Sequence, residues 1–163
     1  MQTRNYVIAV LRAAMMALAL ALSALPISAD TRDDISAASN RGDYKTVVRL
    51  LRPLAEQGDA GAQNFLGLMY NQGEGVTQDY AEAAKWYRMA AEQGVDQAQY
   101  NLGVSYANGE GVPQDYVLAH MWLNLAAAQG FAEAKTARDV AVNLMTSSQI
   151  AEAQRLAREW TPK

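Results

Sequence analysis

The chain has 163 residues, half of them hydrophobic and 19% charged, with 11 Gly, 4 Pro and no Cys. This is enough for one domain with a real core, and it matches neither a disordered nor a collagen-like composition. A net charge of −3 with no basic block argues against nucleic-acid binding and docking on anionic lipid, and the lack of cysteine together with a single histidine excludes disulfides, thiolate catalysis and Cys- or multi-His metal sites.

The first 29 residues have the layout of a secretory signal peptide. Arg4 and Arg12 are the only charged side chains there, residues 13–25 are small and apolar apart from Ser23, and Pro26 breaks the stretch. Ile27, Ser28 and Ala29 then present a small-residue cleavage site before Asp30. A stretch of thirteen residues falls short of the ~20 that span a bilayer, so an uncleaved anchor is the weaker alternative. Removal of the segment takes the net charge from −3 to −5. The expected location is periplasmic or secreted.

Residues 30–40 predict a short, degenerate first helix, and residues 43–56 a second one that Pro53 should bend. Two segments then superpose residue for residue at a spacing of 36. Leu66 and Leu102, Gly67 and Gly103, Tyr70 and Tyr106, Gly75 and Gly111, Asp79 and Asp115, Trp86 and Trp122, and Gly94 and Gly130 are among the identical pairs. A fixed period of this size marks a solenoid in which each unit buries its apolar face on its neighbour.

Each unit reads as two helices. The first spans about 62–72 and 97–108; the second spans about 80–92 and 116–129. Gly67 and Gly103 fall inside the first helices, where glycine costs about 1 kcal/mol against alanine; a repeated cost of this kind predicts close approach of the paired helix. The Gly-Glu-Gly-Val stretches supply the turns, and Asp79 and Asp115 are placed as N-caps. Past residue 132 the repeat decays, because Arg138 and Asp139 stand where Leu102 and Gly103 stood. Thr146 to Gln149 form a capping box that opens a last helix, whose Ile150, Ala153, Ala157 and Trp160 make one apolar stripe, a lid over the last repeat. The expected fold is an all-α solenoid of about four antiparallel helix pairs. It divides into a degenerate repeat (30–61), two full repeats (62–97 and 98–133), and a partial repeat with a capping helix (134–163).

The shared pattern of Leu-Gly-x-x-Tyr, Gly-x-Gly-Val, Asp, Trp, Ala-Ala and Gly resembles the Sel1-like repeat, a relative of the tetratricopeptide repeat. That resemblance implies a superhelical array that binds a protein or peptide as an adaptor. Some exported members are stapled by disulfides in each repeat; this chain, without cysteine, departs from them. The resemblance further implies that the first helices line the concave face. Asn64, Leu68, Asn71 and Gln72 would be the lining set of one repeat, Gln97, Tyr100, Val104 and Asn108 that of the next, with Val140 and Asn143 as a weaker third. All lie off the Leu/Gly/Tyr packing stripe, and none is charged. Amides there would bridge to a peptide backbone, and Tyr100 would anchor a side chain. The competing reading is a wetted inner surface or further core.

Other residues carry less. His120 has no Ser, Cys or second His in a constrained relation to it, and reads as a surface or half-buried side chain. Glu74 and Glu110 occupy equivalent turns of different repeats, about 10 Å apart, too far for a shared site. Trp86, Trp122 and Trp160 read as core, and Met69, Met89, Met121 and Met145 as helix filler. The expectation is therefore no enzyme, no cofactor, no metal and no nucleic acid. The alternative function is self-association or end-stacking within a cell-envelope assembly, favoured by any apolar patch at the Asp30 end.

Overall fold

The computed structural model describes residues 29–163. The expected export segment falls on residues 1–28, outside the described residues, together with part of its cleavage site. Among the described residues there are eight helices: α1 (Ala29–Asn40), α2 (Tyr44–Glu56), α3 (Ala60–Gln72), α4 (Tyr80–Glu92), α5 (Asp96–Asn108), α6 (Tyr116–Ala128), α7 (Ala132–Val142) and α8 (Ser147–Glu159). The all-α repeat architecture is as expected, and α2 runs through Pro53 to Glu56 without ending there.

The starts of α2, α4 and α6 are fixed by aspartates 36 residues apart. Asp43 accepts a hydrogen bond from the Thr46 N–H, Asp79 from Ala81 and Glu82, and Asp115 from Val117 and Leu118. Each such cap stabilises its helix by about 1 kcal/mol. Within each repeat the first helix then lies directly on the second. A Cβ added at Gly67 would sit 2.7 Å from the Tyr87 ring, and one added at Gly103 would sit 2.7 Å from Leu123 Cγ. The glycines are there because the paired helices come too close for any side chain. Trp86 and Trp122 are both buried in the resulting core.

Successive repeats are stitched by polar side chains that also recur at 36. Gln63 and Gln99 are buried; their Nε2 groups donate to the carbonyls of Ala55 (3.0 Å) and Ala91 (3.3 Å) in the preceding repeat. They accept in turn from Gln93 (2.7 Å) and Gln129 (2.9 Å) of their own repeat. Arg52 donates to the Tyr70 hydroxyl and Arg88 to that of Tyr106, each at 2.7 Å. Buried amides that find partners on both sides hold the translation fixed, because any other register would leave them unpaired.

The C-terminal end departs from pairing. α7 packs on α6 as a first helix should, but α8 packs on α6 instead of lying along α7. The reason is in the side chains. On α6 the outward positions are Leu118, Met121 and Leu125; the equivalents on α4 are Glu82, Lys85 and Met89, two of them charged. Only α6 offers α8 an apolar bed, and Ala153, Leu156, Ala157 and Trp160 cover it, with the Trp160 ring edge-on to Trp122 at 6.1 Å. The lid expected from the apolar stripe is thus present, opened by the Thr146–Gln149 capping box. Beyond it, Lys163 bonds to Glu92 through both its backbone N–H and its ammonium group, each at 2.9 Å. On α7 the position of Gly103 is held by exposed Asp139, so the surface that would receive a paired helix is polar.

Candidate functional site: the face of the first helices

α1, α3, α5 and α7 are the first helices of their units, and the structure sorts the candidate residues along them into three groups. Leu68, Val104 and Val140 occupy one position in three consecutive repeats. Leu68 and Val104 are half-buried, and Val140 is 59% exposed. Gln72, Gln97, Asn108 and Asn143 are exposed, and Asn71 is half-buried beside them. Together they give an aliphatic row flanked by uncharged amides. Leu144, 58% exposed, continues this surface at the position of Asn108 and Gln72; it was not singled out because its repeat is degenerate.

Asn64 does not belong to the accessible surface that the sequence suggested, and Tyr100, half-buried like Leu68 and Val104, has a partner already. Asn64 is only 7% exposed; it donates to Gln97 and accepts from Asn101, both at 3.3 Å. Its amide is consumed in joining α3 to α5. Tyr100 stacks on Phe131 with ring centroids 5.0 Å apart, and with Val104 it packs against the buried cluster of Leu123, Ala126 and Ala134. It closes the junction between α5 and α7 and is not a free anchor.

The third junction, between α1 and α3, is not closed by any of the described residues. Its walls are Ile35, Tyr44, Val47, Phe65 and Met69, and its rim holds Arg32, Ser36, Ser39 and Asn40, around a cleft of about 300 Å³. Phe65 is 53% exposed there. Phe65 stands at the position of Asn101, and Met69 at that of Ser105, so the two repeats differ where the cleft forms. A reading built on identities at 36 passes over such positions.

His120 is buried to 3% exposure, deeper than the sequence suggested, at the position where the preceding repeat has Ala84. Its Nδ1 has no hydrogen-bond partner. Desolvation lowers its pKa, the Arg138 charge on α7 lowers it further, and Asp139 opposes them. The unfolded chain therefore takes up this proton first as pH falls. Stability carried by neutral His120 is complete above about pH 6.5 and declines below it, toward the lower folded pKa. Carboxylates with lowered pKa values, Asp43 and Glu152, act at lower pH. Urea unfolding between pH 7 and 5 should show this loss, and His120→Ala should flatten it; an unchanged slope in the variant would assign the effect elsewhere.

Among the described residues no helix is long and apolar enough to cross a membrane, and no group of three or more His, Asp or Glu side chains is placed to hold a metal ion.

The comparisons agree with this geometry. The Sel1 repeat family model matches residues 60–95 and 96–131. Among solved structures, the chain is similar to a protective antigen of uropathogenic Escherichia coli strains that displays an SLR fold, at 33% identity and a TM-score of 0.71 over 79% of this chain. It is also similar to a Sel1 repeat protein from Oxalobacter formigenes, at 41% identity and a TM-score of 0.52 over 53% of this chain. It spans 30% of the length of the first and 66% of the second. No curated protein matches. With two consecutive repeats in register, the same turn and cap residues in each, and solved neighbours of the same fold, the chain carries two Sel1 repeats.

Proposed function

We propose that this protein is an adaptor that binds a protein or peptide along the face of its first helices, and that it is not an enzyme. Sel1 repeats are generally protein–protein interaction modules. The observation that carries the reading is the aliphatic row Leu68–Val104–Val140 with its amide border, on helices of which α3 carries no charged side chain and α5 only Asp96. A preformed surface of this kind takes an extended segment at small ordering cost. The apolar stretch at residues 13–25 supports export, and so a partner in the periplasm or outside the cell. The apolar patch that end-stacking needs is present at this end, in the cleft beside α1 where Phe65 is 53% exposed, so self-association is the second reading.

The test is affinity capture from cell-envelope extract, beside a variant carrying Gln72→Glu and Val140→Glu. Gln72 and Val140 are exposed, so the fold should tolerate both changes. A partner retained at least ~10-fold better by the unchanged protein supports the reading, since charge in an apolar contact costs more than 1 kcal/mol. Equal retention by both proteins would move the site off this face.

A further inference from the structure

We infer that the open cleft between α1 and α3 is a socket for one large apolar side chain of a bound peptide, followed by an acidic residue that pairs with Arg32. The inference rests on the adaptor reading and names the partner chemistry at one end of the same face. Three equivalent junctions join the four first helices. The α3–α5 junction is closed by the Asn64–Gln97–Asn101 amides, and the α5–α7 junction by Tyr100 on Phe131. In the α1–α3 junction no described residue fills the space, and Phe65 is 53% exposed beside Ile35, Val47 and Met69.

Size and chemistry choose the occupant. About 300 Å³ is at the lower end of ligand pockets, suited to a side chain and too small for a folded element. The walls are apolar, and the rim offers hydroxyls at Ser36 and Ser39 and an amide at Asn40, donors and acceptors for a peptide backbone. Arg32 is the one charged residue in the lining and has no hydrogen bond or ion pair among the described residues. Asp33 and Asp34 follow it on α1 but are not part of the lining; neighbours one and two residues on face away in a helix. A guanidinium at the lip of an apolar hole selects a carboxylate beside the anchor.

Fluorescence anisotropy with three labelled synthetic peptides tests this: Gly-Gly-Leu-Phe-Glu-Gly, the same peptide with Lys for Glu, and the same with Ala for both Leu and Phe. The full chain and residues 30–163 are measured in parallel. The Phe-Glu peptide should bind saturably and best. Phe65→Asn, which installs the residue of the next repeat at a half-exposed site, should weaken it about 10-fold or more. Arg32→Glu should reverse the preference between the Glu and Lys peptides. The socket is overturned if no peptide binds, if Phe65→Asn binds equally well, or if Glu and Lys peptides are not distinguished. Binding only by residues 30–163 would mean that the N-terminal segment covers the cleft until it is removed, and supports the socket in the exported form; a concentration-dependent dimer lost in Phe65→Asn would assign the cleft to a second copy and overturn a peptide partner. If the Gln72→Glu, Val140→Glu variant loses its captured protein while Phe65→Asn keeps it, the socket fails and the adaptor reading stands.

Discussion

Replacing Gly103 with leucine is expected to cost about 3 kcal/mol or more and to lower the thermal midpoint by roughly 10 °C. Removing a glycine from a helix interior would by itself gain about 1 kcal/mol. Here that gain is overwhelmed. Even the Cβ would lie 2.7 Å from Leu123 Cγ and 3.2 Å from the Ala119 carbonyl oxygen. Leu123 is 1% exposed and packed against Ala126 and Ala134, so it has nowhere to go, and the Ala119 carbonyl is helix backbone. The helices must separate, which opens voids along the whole α5–α6 contact. Gly103→Ala should already destabilise. If Gly103→Ala were instead ~1 kcal/mol more stable than the natural protein, in urea unfolding, helix propensity would govern the site and the close-approach argument would fail.

The fold was legible because a solenoid prints its packing rules once per repeat. Asp79 and Asp115, Gly67 and Gly103, and Trp86 and Trp122 are each one physical requirement met twice, and the coincidence at 36 separates requirement from accident. The Gln63/Gln93 and Gln99/Gln129 clamps obey the same spacing and could have been found by it. They were passed over because glutamine on a helix usually lies on a solvated face; only the fold shows the preceding helix end above them. The site was less legible for the opposite reason. A binding face differs from repeat to repeat, so identity does not mark it. Asn64 and Tyr100 hold one position, yet the first bonds to a neighbouring amide and the second stacks on Phe131, because residue 101 is Asn whereas position 131 offers an aromatic. Which junction closes depends on the side chain across from it, a tertiary fact. The packing of α8 is similar: its stripe announced a lid, but the choice of α6 over α7 rests on Leu118, Met121 and Leu125 lying where α4 carries Glu82, Lys85 and Met89.

The second large effect is expected at a residue that surface exposure alone would dismiss. Gly111 is exposed, yet Gly111→Ala should cost about 3 kcal/mol. Its φ of +73° is left-handed, a conformation that costs an alanine roughly 1–2 kcal/mol. The added Cβ would also collide with the Tyr80 carbonyl and the Ala81 nitrogen, backbone atoms at the start of α4 that cannot rotate away. Gly75 stands in the same relation to Tyr44 at the start of α2, so the turn inside each full repeat rests on the second helix of the repeat before. An alanine at 111 must therefore either distort the turn or lift it off α4. Gly130→Ala separates the two terms. Gly130 has a φ of +96° and no atom within 4 Å of an added Cβ, so only the conformational cost of about 1–2 kcal/mol remains. Urea midpoints should rank Gly111→Ala well below Gly130→Ala, and hydrogen exchange should show faster opening of the first turn of α4 in the former alone. Equal losses in the two variants would mean that turn strain is the whole effect, and that the repeats are held together by the glutamine clamps and the apolar core without the turn-to-helix contact.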